Sequence, residues 1–290
     1  MRYAIAVDMG GTKIAAAIVN EKGEVMKQRN ILTQANLGKK TVMDNMFSVI
    51  SDLMPAKTDM EIAGIGVGIP GFADAEGQVL FMPNVPLVGV NMRTTLEKRF
   101  KVPVHIENDS NCFAMGEYFF GGHKSKVLLG VIVGTGIGSG IVSEGHLIRG
   151  SQGGAGELGH ILFDNSQKKT VIGKNDFEAV CSGPNLAEKY FKMTGTRIHP
   201  KRIFVIDDSS AKNVIDEEYD HLGKLLAVAV DLLNPDTIVM GGGVSRSLSS
   251  ARLKKAVEQY AIPFSAKHVK IACSELGEKA GLLGAAALVF

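Results

Sequence analysis

The chain predicts an α/β fold built from two related halves. The first reason is a local pattern that occurs twice: a buried strand, a glycine-rich turn with a hydroxyl residue, a second strand and another turn. It runs from Tyr3 to Gly23 around Asp8-x-Gly10-Gly11-Thr12-Lys13, and again from Val127 to Gly145 around Gly134-Thr135-Gly136-Ile137-Gly138. The second reason is that short apolar runs alternate along the chain with segments of helical spacing. The third is a polar cluster, Glu107-Asn108-Asp109-Ser110-Asn111, that closes one apolar run and opens an apolar helix.

The elements follow in order. After the first hairpin, apolar residues recur at helical spacing from Thr41 to Leu53. Glu61 to Ile69 is a strand punctuated by glycines and closed by Pro70-Gly71. Residues 92–101 read as a charged helix, Val104 to Asp109 as a strand, and Ser110 to Tyr118 as a helix leading to a Gly121-Gly122 hinge. The second hairpin comes next, then an irregular stretch from Arg149 to Ser182, then mostly helix. Thr237 to Met240 is a strand feeding the turn Gly241-Gly242-Gly243, and Ala280 to Phe290, rich in small apolar residues, is a close-packed terminal helix.

Composition bounds the function. With 290 residues, 45% hydrophobic and 21% charged, the chain has ample material for a globular core. A net charge of +2, with no basic cluster interleaved with aromatics, argues against nucleic acid as a partner. No apolar run reaches the roughly 18–20 residues that span a bilayer, and the first strand begins too early to leave room for a signal peptide. Cys112, Cys181 and Cys273 are odd in number and widely spaced, which predicts neither a disulfide framework nor a zinc knuckle. A cytoplasmic location is expected.

The turns carry the chemistry. Glycines in a tight hairpin leave backbone N–H groups unobstructed, and such groups can cradle phosphate oxygens. Neither turn has the G-x-x-x-x-G-K-[ST] spacing of a P-loop. The second is followed by a strand, where a dinucleotide fingerprint needs a helix. A Gly-Gly hairpin alone is also compatible with a plain turn, but the duplication favours a polyphosphate and therefore a nucleotide-using enzyme. The cluster at 107–111 exceeds what a helix cap needs, and Asp109 is a candidate general base toward an attacking hydroxyl. Glu157 and His160, in the glycine-rich run Gly153 to His160, suit a polar ligand. Glu178, taken by itself, reads as a solvated helix residue.

Taken together, Asp8-x-Gly-Gly-Thr-Lys13, Gly68-Ile-Pro-Gly71, Pro83-Asn84, Glu107-Asn-Asp-x-Asn111, Gly134-Thr-Gly-Ile-Gly138, Gly156-Glu-x-Gly-His160, Glu178 with Ser182-Gly183, and Gly241-Gly-Gly243 resemble the ROK family of sugar kinases and regulators. That resemblance covers nearly the whole chain. It implies two actin-like (ribonuclease H-like) domains with a ligand cleft, residues 1–115 completed by 280–290, and residues 116–279. It implies an ATP- and magnesium-dependent hexokinase of the glucokinase type, phosphorylating the 6-OH, and a homo-oligomer, a dimer. Asp109 would be the base. Asn84, Asn108, Asp109, Glu157, His160 and Glu178 would bind the sugar, and the two domains would close around it. Gly10, Gly11, Thr12, Lys13, Gly134, Thr135, Gly136, Gly242 and Gly243 would surround the nucleotide, with Asp8 near magnesium through water.

The sequence departs from the family at one place. Many members carry a C-x-C-G-x-x-G-C zinc motif between this histidine and this glutamate, whereas Ile161 to Phe177 has no cysteine. One histidine and one distant thiol leave a tetrahedral site unfilled, so no structural zinc is expected and other contacts must order the loop. The alternatives are a kinase for an N-acetylhexosamine such as N-acetylmannosamine, or a non-catalytic sugar-responsive regulator. The regulators of this family carry a helix-turn-helix ahead of the first hairpin. Here Asp8 stands too near the start for one.

Overall fold

The computed structural model describes residues 1–55, 60–163 and 175–290. The chain forms two compact units, each with its own hydrophobic core. One comprises Met1–His123, Leu147–Ala155 and Glu278–Phe290, and the other Lys124–His146 and Gly156–Gly277. Relative to the division at residue 115, the first unit also takes the rest of the helix begun at Asp109 and the segment 147–155.

In the first unit, β1 (Tyr3–Met9), β2 (Lys13–Asn20), β3 (Val25–Leu32), β4 (Ile62–Ile69), the short pair β5 (Phe72–Ala73) and β6 (Val79–Phe81), and β7 (Val104–Asn108) supply the strands. The main sheet has the order β3-β2-β1-β4-β7. Strands β1, β2 and β3 form an antiparallel meander, whereas β4 and β7 run parallel to β1. Helices α1 (Lys39–Ser51) and α2 (Met92–Phe100) connect these strands, and α3 (Asp109–Phe119) follows β7.

Strand β3 was not expected from the sequence. Its interior residues, Met26 to Asn30, are all exposed, because it is an edge strand held by pairing with β2, with Ile31 beyond them packing against the core. The glycine punctuation of β4 has a packing reason. Ile65, Val67 and Ile69 enter the core, while a Cβ at Gly66 would overlap the backbone carbonyl of Ala285.

The second unit repeats the plan with β8 (Val127–Val133), β9 (Ile137–Ser143), β10 (His146–Leu147), β11 (Thr237–Gly241) and β12 (Lys270–Cys273). Its sheet order, β10-β9-β8-β11-β12, matches that of the first sheet, with β11 and β12 parallel to β8. Helices α4 (Glu178–Cys181), α5 (Gly183–Thr194), α6 (Pro200–Ile203), α7 (Ser209–Leu233), α8 (Gly242–Ser245), α9 (Ser250–Glu258) and α10 (Pro263–His268) belong to it. The last helix, α11 (Ala280–Ala287), lies in the first unit against α3, β1 and β4. None of the described helices is long and apolar enough to cross a membrane.

The stretch read as irregular, 149–182, contains a 3-10 turn at Leu158–His160 and the whole of α4. Its middle, 164–174, which holds most of the cysteine-free loop, lies outside the described residues. The flanks pair: Leu162 bridges Asp176, and Phe177 donates its N–H to the Ile161 carbonyl at 3.1 Å.

Candidate active site

In the first unit, the candidate residues gather where the parallel strands end. Asp8 on β1 stands beside Gly68 on β4, and Gly68 beside Glu107 on β7. Carboxyl ends of parallel strands are where open α/β sheets present their ligands. The adjoining hairpin turn is closed by the Gly10 N–H donating to the Lys13 carbonyl at 2.8 Å, which leaves Gly11 and Thr12 at its exposed tip. Burial pushes the Asp8 carboxyl up from its usual range and the Lys13 ammonium pulls it back. A carboxylate made costly by desolvation suits a cation close by, which fits Asp8 to a magnesium reached through water. Asn84 is exposed on the loop after β6, and a Cβ at Gly11 would lie 3.5 Å from its own.

The polar cluster divides its labour. Asn108 is the N-cap of α3, its Oδ1 accepting the N–H groups of Ser110 (2.9 Å) and Asn111 (3.2 Å). An aspartate or a serine can also cap a helix in this way. The asparagine serves better because its Nδ2 also donates to the Gly71 carbonyl at 3.2 Å, tying the strand end to the neighbouring loop. One of its two amide hydrogens is therefore engaged, and a second is available by stoichiometry for a ligand. Asp109 opens α3 and is half-buried, with Ser110 Oγ 3.3 Å from its Oδ1.

Glu107 lies behind the cluster, almost fully buried. Its Oε1 accepts Asn111 Nδ2 and the Asn108 N–H, both at 2.9 Å, and its Oε2 pairs with Arg149 Nε at 2.8 Å. Arg149 escaped the sequence reading, because nothing in a stretch without periodicity marks an arginine forty-odd positions downstream as a partner of Glu107.

In the second unit, the Gly134 N–H closes the turn onto the Gly136 carbonyl at 2.9 Å, with Thr135 exposed at the tip. Gly134, Thr135 and Gly243 line a cavity of about 440 Å³ together with Gly183, His199 and Lys201. Its size suits a nucleoside. Gly242 takes φ +91°, and a Cβ there would overlap the Val133 carbonyl, so it brings the turn after β11 onto the end of β8.

Gly136 does something the spacing did not reveal. A side chain there would collide with Glu178 Oε2, which accepts the Ile137 N–H at 2.8 Å. Glu178 is thus half-buried and fastened to the hairpin, not the solvated residue that its helical context suggested.

Glu157 and His160 flank the same region. Gly156, at φ +91°, packs on β9, where Ser139 Oγ donates to its carbonyl. His160 Nε2 lies 3.9 Å from Glu157 Oε2, and its Nδ1 lies 2.9 Å from Oδ2 of the buried Asp176. Burial raises the Glu157 carboxyl, the nearby Glu178 pushes it further up, and His160 would draw it down when its ring is protonated. Among the described residues no cluster of three His, Cys, Asp or Glu side chains is placed to hold a metal. Asp176 was missed by the sequence reading, since its contact with His160 depends on how the intervening loop returns.

Comparison with known proteins bears on this arrangement. The ROK family model matches residues 4–290. A glucokinase from Thermotoga maritima is 31% identical, over 98% of this chain and 96% of its own. A xylose repressor from Caldicellulosiruptor bescii is 27% identical, over 98% of this chain and 77% of its own. The crystal structure of a ROK family glucokinase from Streptomyces griseus, in complex with glucose and AMPPNP, superposes with a TM-score of 0.83 at 29% identity, covering 99% of this chain and 98% of that one. A match of this extent, in sequence and in fold, makes the chain a member of the ROK family, with the actin-like ATPase fold of its kinases.

Proposed function

We propose that this protein is an ATP-dependent sugar kinase that transfers the γ-phosphate to a hexose hydroxyl, the 6-OH of glucose. The observation that carries the reading is the pair of glycine hairpins at the ends of duplicated sheets, one beside the Asp8 and Asp109 carboxylates and the other opening on a nucleoside-sized cavity. The glucokinase relatives support the substrate class.

In this reading Asp109 accepts the proton of the attacking hydroxyl. The new bond joins that oxygen to the γ-phosphorus as the bridging bond to the nucleoside diphosphate breaks. Asn84, Asn108, Glu157, His160 and Glu178 hold the other hydroxyls. Gly10, Gly11, Thr12, Lys13, Gly134, Thr135, Gly136, Gly242 and Gly243 surround the nucleotide. Magnesium, brought with the nucleotide, would neutralise charge on the phosphates, with Asp8 holding one of its waters. Recognition by carboxylates and amides discriminates strongly against analogues lacking a hydroxyl, because it leaves those buried groups unpaired.

A coupled assay of a hexose panel with ATP and magnesium tests the reading, with glucose expected as the preferred acceptor. Preference for an N-acetylhexosamine would move the substrate while keeping the reaction. Sugar binding without phosphorylation of any member would assign the protein to the regulators.

Two consequences concern the sugar residues. Glu157 accepts a hydroxyl more strongly when ionised, and its raised carboxyl takes up a proton at a pH where an exposed glutamate, at about 4.3, is still charged. The sugar KM should therefore climb as the pH falls, starting above the ordinary glutamate range, and Glu157→Gln should flatten that climb. An equal climb in the variant would remove Glu157 from the role.

Gly136→Ala should displace Glu178 from the Ile137 N–H. Because the obstructed atom is the end of a flexible side chain, stability should change by less than about 1 kcal/mol. The sugar KM should nevertheless rise about tenfold, the equivalent of one lost hydrogen bond. Thermal melting and steady-state kinetics on the same preparation separate the two effects.

A further inference from the structure

We propose that Asp176 is a positioning residue that fixes the tautomer of His160, so that a carboxylate rather than a metal orients the imidazole toward the ligand. The proposal rests on the sugar-kinase reading for what the ring meets, but not for how the ring is held. His160 Nδ1 lies 2.9 Å from Asp176 Oδ2, and the Asp176 side chain is 1% exposed. A buried carboxylate at that distance accepts a hydrogen bond, so the proton sits on Nδ1 and Nε2 presents a lone pair.

The carboxylate is itself held. Its Oδ1 accepts the Ala179 N–H at 2.9 Å, in the first turn of α4, next to Glu178. Its backbone is pinned by the Leu162–Asp176 bridge. One residue thus anchors the ring nitrogen, the helix turn carrying Glu178 and the base of the loop between them.

The other ring nitrogen faces Glu157, with 3.9 Å between Nε2 and Oε2. Two acceptors side by side, a lone-pair nitrogen and a carboxylate, call for a ligand offering two O–H donors, as a polyol does. If the proton moved to Nε2, the ring would present a donor and the pair would no longer match two hydroxyl hydrogens. The nitrogen that a metal could take is already engaged. This accounts for a histidine kept in place while 161–177 carries no cysteine.

The substitution that tests this is Asp176→Asn. The amide oxygen can keep the Ala179 N–H, which places the NH₂ group against Nδ1. The imidazole must then accept at Nδ1 and carry its proton on Nε2, the inversion that an aspartate-to-asparagine change produces in a serine protease triad.

Nitrogen-15 NMR of the histidine rings in the sugar-free protein reads this directly, with the His160→Gln spectrum assigning the signal. The wild type should show Nδ1 protonated and Nε2 bare, and Asp176→Asn should reverse them. Kinetically, the variant should raise the sugar KM about tenfold with the KM for ATP unchanged.

A wild-type ring protonated on Nε2, or on both nitrogens, overturns the proposal without recourse to any variant. So does an unaltered tautomer in Asp176→Asn. A reversed tautomer with an unmoved sugar KM overturns the contact between Nε2 and the sugar. Because the ring measurement needs neither sugar nor ATP, its outcome is independent of whether a hexose is phosphorylated.

Discussion

Asp109→Asn should lose sugar phosphorylation by ~10²–10⁴-fold in kcat while sugar affinity stays within about tenfold, the pattern of a base removed from the chemical step. The expectation follows from placement. Asp109 is the first residue of α3, at the end of β7, and it is half-buried. Its neighbours carry the structural duties: Asn108 caps the helix, and Glu107 secures Asn108 and Asn111. Asparagine is close to isosteric and should leave that framework intact, so a fall in kcat reports lost basicity and not a collapsed helix. Steady-state kinetics with calorimetric sugar titration separates the two. A variant keeping a tenth or more of the wild-type kcat would take Asp109 out of the role. A variant that no longer binds sugar would make it a ligand first.

Gly284→Ala should be the most damaging one-methyl change in the first unit. A Cβ at Gly284 would overlap the Cys112 carbonyl of α3, and a Cβ at Gly116 would overlap the Ala280 carbonyl of α11. Both obstacles are backbone, so no side chain can rotate aside and the helices must separate. The cost should reach the upper end of overpacking, about 3 kcal/mol, or a fall in Tm of ~6–12 °C for a unit of this size. The damage should extend to activity, because α3 begins at Asp109.

Gly281→Ala is the control on the same helix. Its Cβ would lie 3.5 Å from Asp8 Oδ2, an ordinary contact, and alanine favours the helix by up to about 1 kcal/mol. Differential scanning calorimetry should show Gly284→Ala well below wild type and Gly281→Ala at or above it. Equal melting temperatures would refute the close-packing argument.

Elements that bury a face or bend sharply are legible from composition and spacing. Strands such as Ala4 to Val7 and Leu128 to Val131 are apolar because both faces are covered, and a run of that kind is legible without coordinates. The two hairpins were legible because the same glycine-rich pattern occurs twice, and the terminal helix because small residues mark close approach. The polar cluster at 107–111 stood out against its apolar flanks.

Strand β3 did not, since its polar edge position leaves no alternation to read, and β12 is only four residues long. Which distant residues meet depends on the folded chain. It set Arg149 on Glu107, Asp176 on His160, and Glu178 in the space that Gly136 leaves. Each of these contacts joins segments whose separation is fixed by sheet register and loop return. Local composition encodes neither, so a buried carboxylate and its partner carry no mark in the sequence until the fold brings them within hydrogen-bonding distance.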